Sequence, residues 1–164
     1  MDSIFHRVSI RKFTDEPVAE EDLTRILRAG MQAPSAVNQQ PWEFYVVTNR
    51  DVILELSKAT MFSRPAAGAP VVIVPCFRQE TRLPSMAEID MAIAQENMWL
   101  ETDSLGLGGV MLGIAPERSR MDKVRRIIGA PDSLEPFCLF ALGHPAESRP
   151  QQDRFDESRI HRIG

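Results

Sequence analysis

Apolar residues along this chain fall in two patterns, a helical spacing and short apolar runs, and each predicts a kind of element. Between residues 20 and 33, Leu23, Ile26, Leu27 and Met31 fall at i, i+3, i+4 and i+8. That spacing marks one face of a helix, with Glu20, Glu21 and Asp22 in the first turn, where carboxylates suit the helix dipole. Pro34 stops it. The β-branched and aromatic runs at 43–48 (E-F-Y-V-V-T) and 71–77 (V-V-I-V-P-C-F) predict two strands. Pro75 lacks a ladder donor, so the second is expected to fray or to lie at a sheet edge near its end.

Residues 85–105 form the longest helical stretch, with Met86, Ile89, Met91, Ala92, Ile93, Met98, Trp99 and Leu100 leaving little of it plainly polar. The pattern predicts a central, largely buried helix, with Asp90, Glu96, Asn97 and Glu101 as its wet edge. Gly106 supplies a left-handed close. A strand follows at 110–114 (V-M-L-G-I), then an amphipathic helix carrying Met121, Val124, Ile127 and Ile128 and ended by Gly129 and Pro131, then a strand at 137–142 (F-C-L-F-A-L). From Gly143 no periodicity persists. Residues 143–164 read as an extended arm, and Phe155, Ile160 and Ile163 within it suit an arm laid on a partner subunit better than a free tail.

The chain has 164 residues, 43% hydrophobic and 26% charged, with no repeat or linker, which predicts one domain over 1–164, and helices and strands alternate along it. A net charge of −4 argues against a nucleic-acid domain, and no apolar run approaches the roughly 20 residues of a membrane span. Cytoplasm is the expected location. Cys76 and Cys138 lie in apolar runs without CxxC or Cys/His spacing, and His6, His144 and His161 lack partners at metal spacing. Buried structural thiols, packing or surface histidines and no metal site are the expectation.

No G-x-S-x-G, H-E-x-x-H or Walker A element occurs. The glycines of L-G-L-G-G-V-M-L-G (105–113) follow a helix and open a strand, the reverse of a dinucleotide fingerprint. Two other segments combine anion-binding side chains with turn chemistry. In R-V-S-I-R, Arg7, Ser9 and Arg11 share a face if the segment is extended, setting two guanidinium forks around a hydroxyl. In A-P-S-A-V-N-Q-Q-P-W, Pro34 ends a helix and Ser35, Asn38, Gln39 and Gln40 precede a strand.

In this order the two segments, with L-G-L-G-G-V-M-L-G-I-A-P after the long helix, the strand ending A-L-G-H-P-A-E and the late arginine of D-R-F-D-E, resemble the nitroreductase family over nearly the whole chain. The resemblance implies a three-layer α+β fold, a central mixed or antiparallel sheet flanked by helices, and a homodimer that exchanges its C-terminal arm. It implies FMN bound between subunits: Arg7, Ser9 and Arg11 toward phosphate and ribityl chain, Arg154 as a further phosphate arginine, and Pro34, Ser35 and Asn38 from the other subunit. Leu112, Gly113 and Ile114 match the strand entrance whose amides lie near flavin N5 and O4, and Arg64 stands for the lysine that touches the pyrimidine in longer relatives. The implied activity is hydride transfer from NAD(P)H through flavin N5 to a nitroaromatic or quinone, ping-pong, with no catalytic side chain. Same-fold alternatives are reductive dehalogenation, flavin breakdown, or flavin binding and sensing without turnover. The segment between 77 and 85 has no room for an extra helical excursion.

Overall fold

The computed structural model describes residues 2–164. After a short helix α1 (Ser3–His6), the elements run α2 (Glu20–Met31), β1 (Trp42–Val47), α3 (Arg50–Leu56), β2 (Val71–Arg78), α4 (Ala87–Ser104), β3 (Gly108–Gly113), α5 (Arg118–Ile128), β4 (Leu134–Pro136) and β5 (Cys138–Gly143). The sheet order is β1-β2-β5-β3, with β4 also paired to β2, and every ladder is antiparallel. The parallel contact that a mixed sheet would need is reduced to a single bridge, Ser9 to Gly109 at the outer edge of β3.

The alternation of β2 and β5 explains the layering. Val71 and Ile73, with Phe140 and Leu142, pack against Leu23 and Ile26 of α2 and Met98 of α4. Val72 and Val74, with Leu139 and Ala141, join Ile53 and Leu56 of α3 and Met121 and Val124 of α5. Successive residues of a strand point to opposite faces, so a run buried at every position demands helices on both sides. Each fully buried Leu, Ile, Val or Phe here contributes roughly 1.5–3 kcal/mol relative to exposure.

Three expectations need correction. Pro75 does not mark an edge: β2 is central, and Pro75 sits where its neighbour changes from β5 to β4, with its carbonyl accepting the Phe137 amide at 2.8 Å. The missing donor coincides with a break in the ladder and costs nothing there. The long helix is not largely buried all round, since Ile89 is 52% exposed and Ile93 is also exposed, one turn apart. Asp90 is no wet edge either: it is 2% exposed. The left-handed closures are present at Gly106 (φ 76°) and Gly129 (φ 64°).

α3 and β4 are additions. α3 begins at Asn49, whose side chain accepts from the amides of Asp51 and Val52, both at 3.1 Å. From Gly143 the chain is held by Thr14 N to His144 O (2.9 Å) and Ala146 N to Lys12 O (2.9 Å), then runs exposed from Gln151 to Gly164, with one short 3-10 turn at Glu157–Arg159.

Both thiols are buried and unpaired. Burial pushes Cys76 up to about 12 and Cys138 well above the ordinary thiol value. Neither should react with a thiol reagent at pH 8 until the chain unfolds, when both should. Above the unfolded thiol's pKa of 9.0 the unfolded state releases protons that the folded state keeps, so this contribution is complete below that pH and is lost as pH rises toward 12. Urea melts from pH 8 to 10.5, compared with the Cys76→Ala/Cys138→Ala variant, should show a steeper loss in the native chain; equal slopes would refute the assignment.

Candidate functional site

The two terminal segments meet at one cleft of about 710 Å³, lined by Ile4, Phe5, Arg7, Val8, Ser9, Arg11 and residues 149–155. The N-terminal wall is fixed by tertiary contacts. Ile10 is buried, its amide donates to Gly109 O at 3.0 Å, and it occupies the space beside Gly108, where an added Cβ would lie 2.8 Å from its side chain. Only glycine lets β3 approach this closely. With Ile10 turned inward, Ser9 and Arg11 are left at the cleft.

Arg7 lies across Trp99 of α4, its guanidinium carbon 4.1 Å from the ring centroid, and its Nε is 3.4 Å from Glu96 Oε1. This side chain is 15% exposed, so its position is set by the fold rather than by solvent. Arg11 donates from its backbone to Glu147 Oε1 (2.6 Å) and from Nη1 to Ser9 O (3.3 Å). Glu147 also accepts from Arg149 at 3.1 Å, and the Arg149 hydrogen bond, then the Arg11 amide, hold its carboxyl below the usual range. It therefore stays ionised and ties the arm to the N-terminal segment. Arg154 reaches only Gln152, at 3.5 Å. Among the described residues neither the Arg11 nor the Arg154 guanidinium has a carboxylate partner. Two unneutralised guanidiniums, a third held against an indole and a serine suit a phosphate-bearing ligand.

Thus Arg7, Ser9, Arg11 and Arg154 come together. Pro34, Ser35 and Asn38 do not join them: they lie on the loop after α2, beside the start of α4. Asp90 and Trp99, which meet the loop and Arg7 respectively, stand about 14 Å apart along the α4 axis. Val37 (φ 47°), Asn38 (φ 54°) and Gln40 (φ 45°) are all left-handed. Such conformations cost non-glycine residues about 1–3 kcal/mol each, most for a β-branched one. Side chains hold them: Ser35 Oγ accepts the Gln40 amide at 3.0 Å and Asn38 Oδ1 accepts from Gln40 Nε2 at 3.0 Å.

At the end of β3, Leu112 and Ile114 are core side chains, so any contact there is through backbone. The Gly109 carbonyl faces outward to Ile10, and by ladder alternation Met111 and Gly113 turn their backbone groups to the same open edge. Arg64 is exposed in the turn Arg64–Gly68, whose neighbours are α3 and β5, and does not line the cleft. His6, which lacks local partners at metal spacing, binds the distant Asp103 at 2.8 Å through Nδ1 and so ties α1 to the end of α4. Trp99 and Asp90 carried no local signal and acquire their places through residues distant in sequence, whereas Arg149 bonds Glu147 two residues before it.

A helix-covered antiparallel sheet with an arginine-lined cleft at its joined terminal segments defines the class of this chain as α+β. The sequence model of the Nitroreductase family matches residues 4–67 and 57–144. The chain is 38% identical over 98% of its length, and 85% of the relative's, to a Methanothermobacter thermautotrophicus protein provisionally named NADH dehydrogenase/NAD(P)H nitroreductase. A provisionally named NADH oxidase from Clostridium acetobutylicum is 40% identical with a TM-score of 0.95, over 98% of both chains. A provisionally named nitroreductase from Desulfovibrio desulfuricans, solved in complex with FMN, is 27% identical with a TM-score of 0.81, over 99% of this chain and 95% of the other. The chain belongs to the nitroreductase family.

Proposed function

We propose that this protein is an FMN-dependent NAD(P)H oxidoreductase that passes electrons to a small organic acceptor such as a nitroaromatic or a quinone. The observation that carries the reading is the cleft where Arg7, Ser9, Arg11 and Arg154 converge with two guanidiniums unneutralised. The FMN complex of the Desulfovibrio relative supports the identity of the ligand. Bound FMN would supply two-electron redox chemistry, accepting from the nicotinamide and reducing the acceptor. The protein's part is to hold and polarise it. Arg11 and Arg154 would neutralise the phosphate, Arg7 would present a donor fixed by Trp99, and Ser9 would add a neutral one. Outward backbone amides near Gly113 are the fixed dipoles suited to stabilising negative charge on a reduced ring.

The site requires a second subunit in this reading. The loop of Pro34, Ser35 and Asn38 stands apart from the arginines, and it would complete the cleft of the other copy. Exposed Ile89 and Ile93 on α4, Ile4 and Phe5 on α1, and Phe155 on the arm give an apolar surface for that contact. Arm exchange would cover Phe155, Ile160 and Ile163. Light scattering should find a dimer carrying FMN, and a stable monomer that retains FMN would refute the shared site.

Purified protein should show a flavin absorbance spectrum and release FMN on denaturation, and NADH or NADPH should bleach it. Arg7→Ala and Arg154→Ala should each weaken FMN retention by about 1.5–3 kcal/mol, as expected for a lost charge-assisted bond. Ser35→Ala should cost about 0.5–1.5 kcal/mol. Equilibrium dialysis with FMN fluorescence measures all three, and unchanged affinity in both arginine variants would overturn the assignment.

A further inference from the structure

The loop that would contact FMN holds left-handed residues, Val37, Asn38 and Gln40, none of them glycine, and is closed on itself by Ser35 Oγ to the Gln40 amide and by the backbone turns Asn38 N to Ser35 O and Gln39 N to Ala36 O. It is also anchored from outside. Asp90, in the first turn of α4, is 2% exposed and sends both carboxylate oxygens to the loop: Oδ1 accepts the Ala36 amide at 2.9 Å and Oδ2 accepts Gln39 Nε2 at 2.6 Å. Gln39 then extends the tie beyond the loop. Its Nε2 also donates to Leu83 O at 3.2 Å and its Oε1 accepts the Leu83 amide at 2.9 Å. One carboxylate thus joins α4, the loop of Pro34–Gln40 and the segment leading into α4.

We infer that Asp90 is a positioning residue for FMN binding: it acts through Ala36 and Gln39 to hold Ser35 and Asn38 in the binding conformation, without touching the ligand. The inference rests on the FMN reading above. A carboxylate suits this place because it is acceptor-only, and the two groups facing it are both donors. An asparagine of the same shape keeps one acceptor and sets an amide donor against the other N–H.

The test compares native protein with Asp90→Asn, Gln39→Met, Ser35→Ala and Asp90→Asn/Ser35→Ala, at a temperature where circular dichroism shows each folded. FMN affinity is read by flavin fluorescence, and loop order by amide exchange at Ala36 and Gln40. Asp90→Asn should weaken FMN binding about tenfold, the scale of one charge-assisted hydrogen bond, with faster exchange at both amides and an altered flavin absorbance envelope. Gln39→Met should move both readouts the same way, and it serves if Asp90→Asn does not fold. The double variant should be weaker than the native protein by less than the product of the two single effects, because both act on one loop. Asp90→Asn/Val37→Gly should recover part of the affinity, since glycine accepts the left-handed backbone without strain.

Native affinity in folded Asp90→Asn, or multiplicative effects with Ser35→Ala, overturns the inference. So does unchanged exchange at Ala36. If native protein binds no FMN while Asp90→Asn still frees the Ala36 amide, the FMN reading has failed and the positioning of the loop by Asp90 stands on the exchange result alone.

Discussion

Phe140→Ala should lower the free energy of unfolding by about 3–5 kcal/mol, the range for emptying a fully buried phenylalanine site. Phe140 is wholly buried on β5, fills the space over Gly109, and meets the edge of Trp99 with ring centroids 6.0 Å apart at 61°. The loss is both packing and an aromatic contact. It should also reach the cleft, because Trp99 is the surface on which Arg7 rests, so the folded fraction should hold FMN less tightly. A Cβ on Gly109 would stand 2.8 Å from the Phe140 ring, so Gly109→Ala alone should destabilise and yet recover part of the loss in Phe140→Ala. Urea unfolding followed by circular dichroism gives both numbers. A loss below about 1 kcal/mol would mean that neighbours collapse into the space, contrary to the packing described.

Arg125→Ala should be nearly as damaging, at about 3 kcal/mol. The Glu135 side chain is 4% exposed and depends on Arg125 Nη2 at 2.8 Å, Arg118 Nη1 at 2.5 Å and Gln79 Nε2 at 2.6 Å. Arg125 also donates from Nε to Leu134 O at 3.0 Å. Removing it strands a buried carboxylate with weaker company and frees a carbonyl. Glu135→Leu with Arg125→Met should be less destabilised than Arg125→Ala alone, because no buried charge is left without its partner. If the double variant proves the weaker, the network is a net source of stability rather than a constraint on where α5 meets β4.

The elements with a clear period were legible before any coordinates. Helices α2 and α5 arise where apolar residues repeat every 3.6 positions, and β1, β2, β3 and β5 where β-branched, aromatic and other apolar residues run together; their ends differ from the expected ones by a few residues. α3 has only seven residues, too few for a period to stand out, although Asn49 ahead of Val52, Ile53 and Leu56 is a start signal. β4 has three. Pro75 misled because a missing donor points to an edge unless the neighbouring strand is known to break there. Asp90 misled because the buried face of α4 itself carries polar residues, Asp90, Gln95 and Thr102, while Ile89 and Ile93 are exposed, so no polar stripe set an inward carboxylate apart. The arginines of the cleft were legible as candidates through R-V-S-I-R and D-R-F-D-E. Their meeting was not, since it depends on Gly108 admitting Ile10 and on the arm bonding back to Lys12 and Thr14.

The pairing of Thr14 with His144 and of Lys12 with Ala146 also sets an order in time. On the ribosome, Arg7 and Arg11 emerge first and Arg154 among the last residues described, an interval of roughly 7–30 s at about 5–20 residues per second. The helices and β1–β2 can gather meanwhile, but half of the cleft's lining has not yet been made. In the proposed reading FMN capture would then be a closing event of biosynthesis, and a chain stalled before residue 149 would have most of the core and none of the arm's arginines.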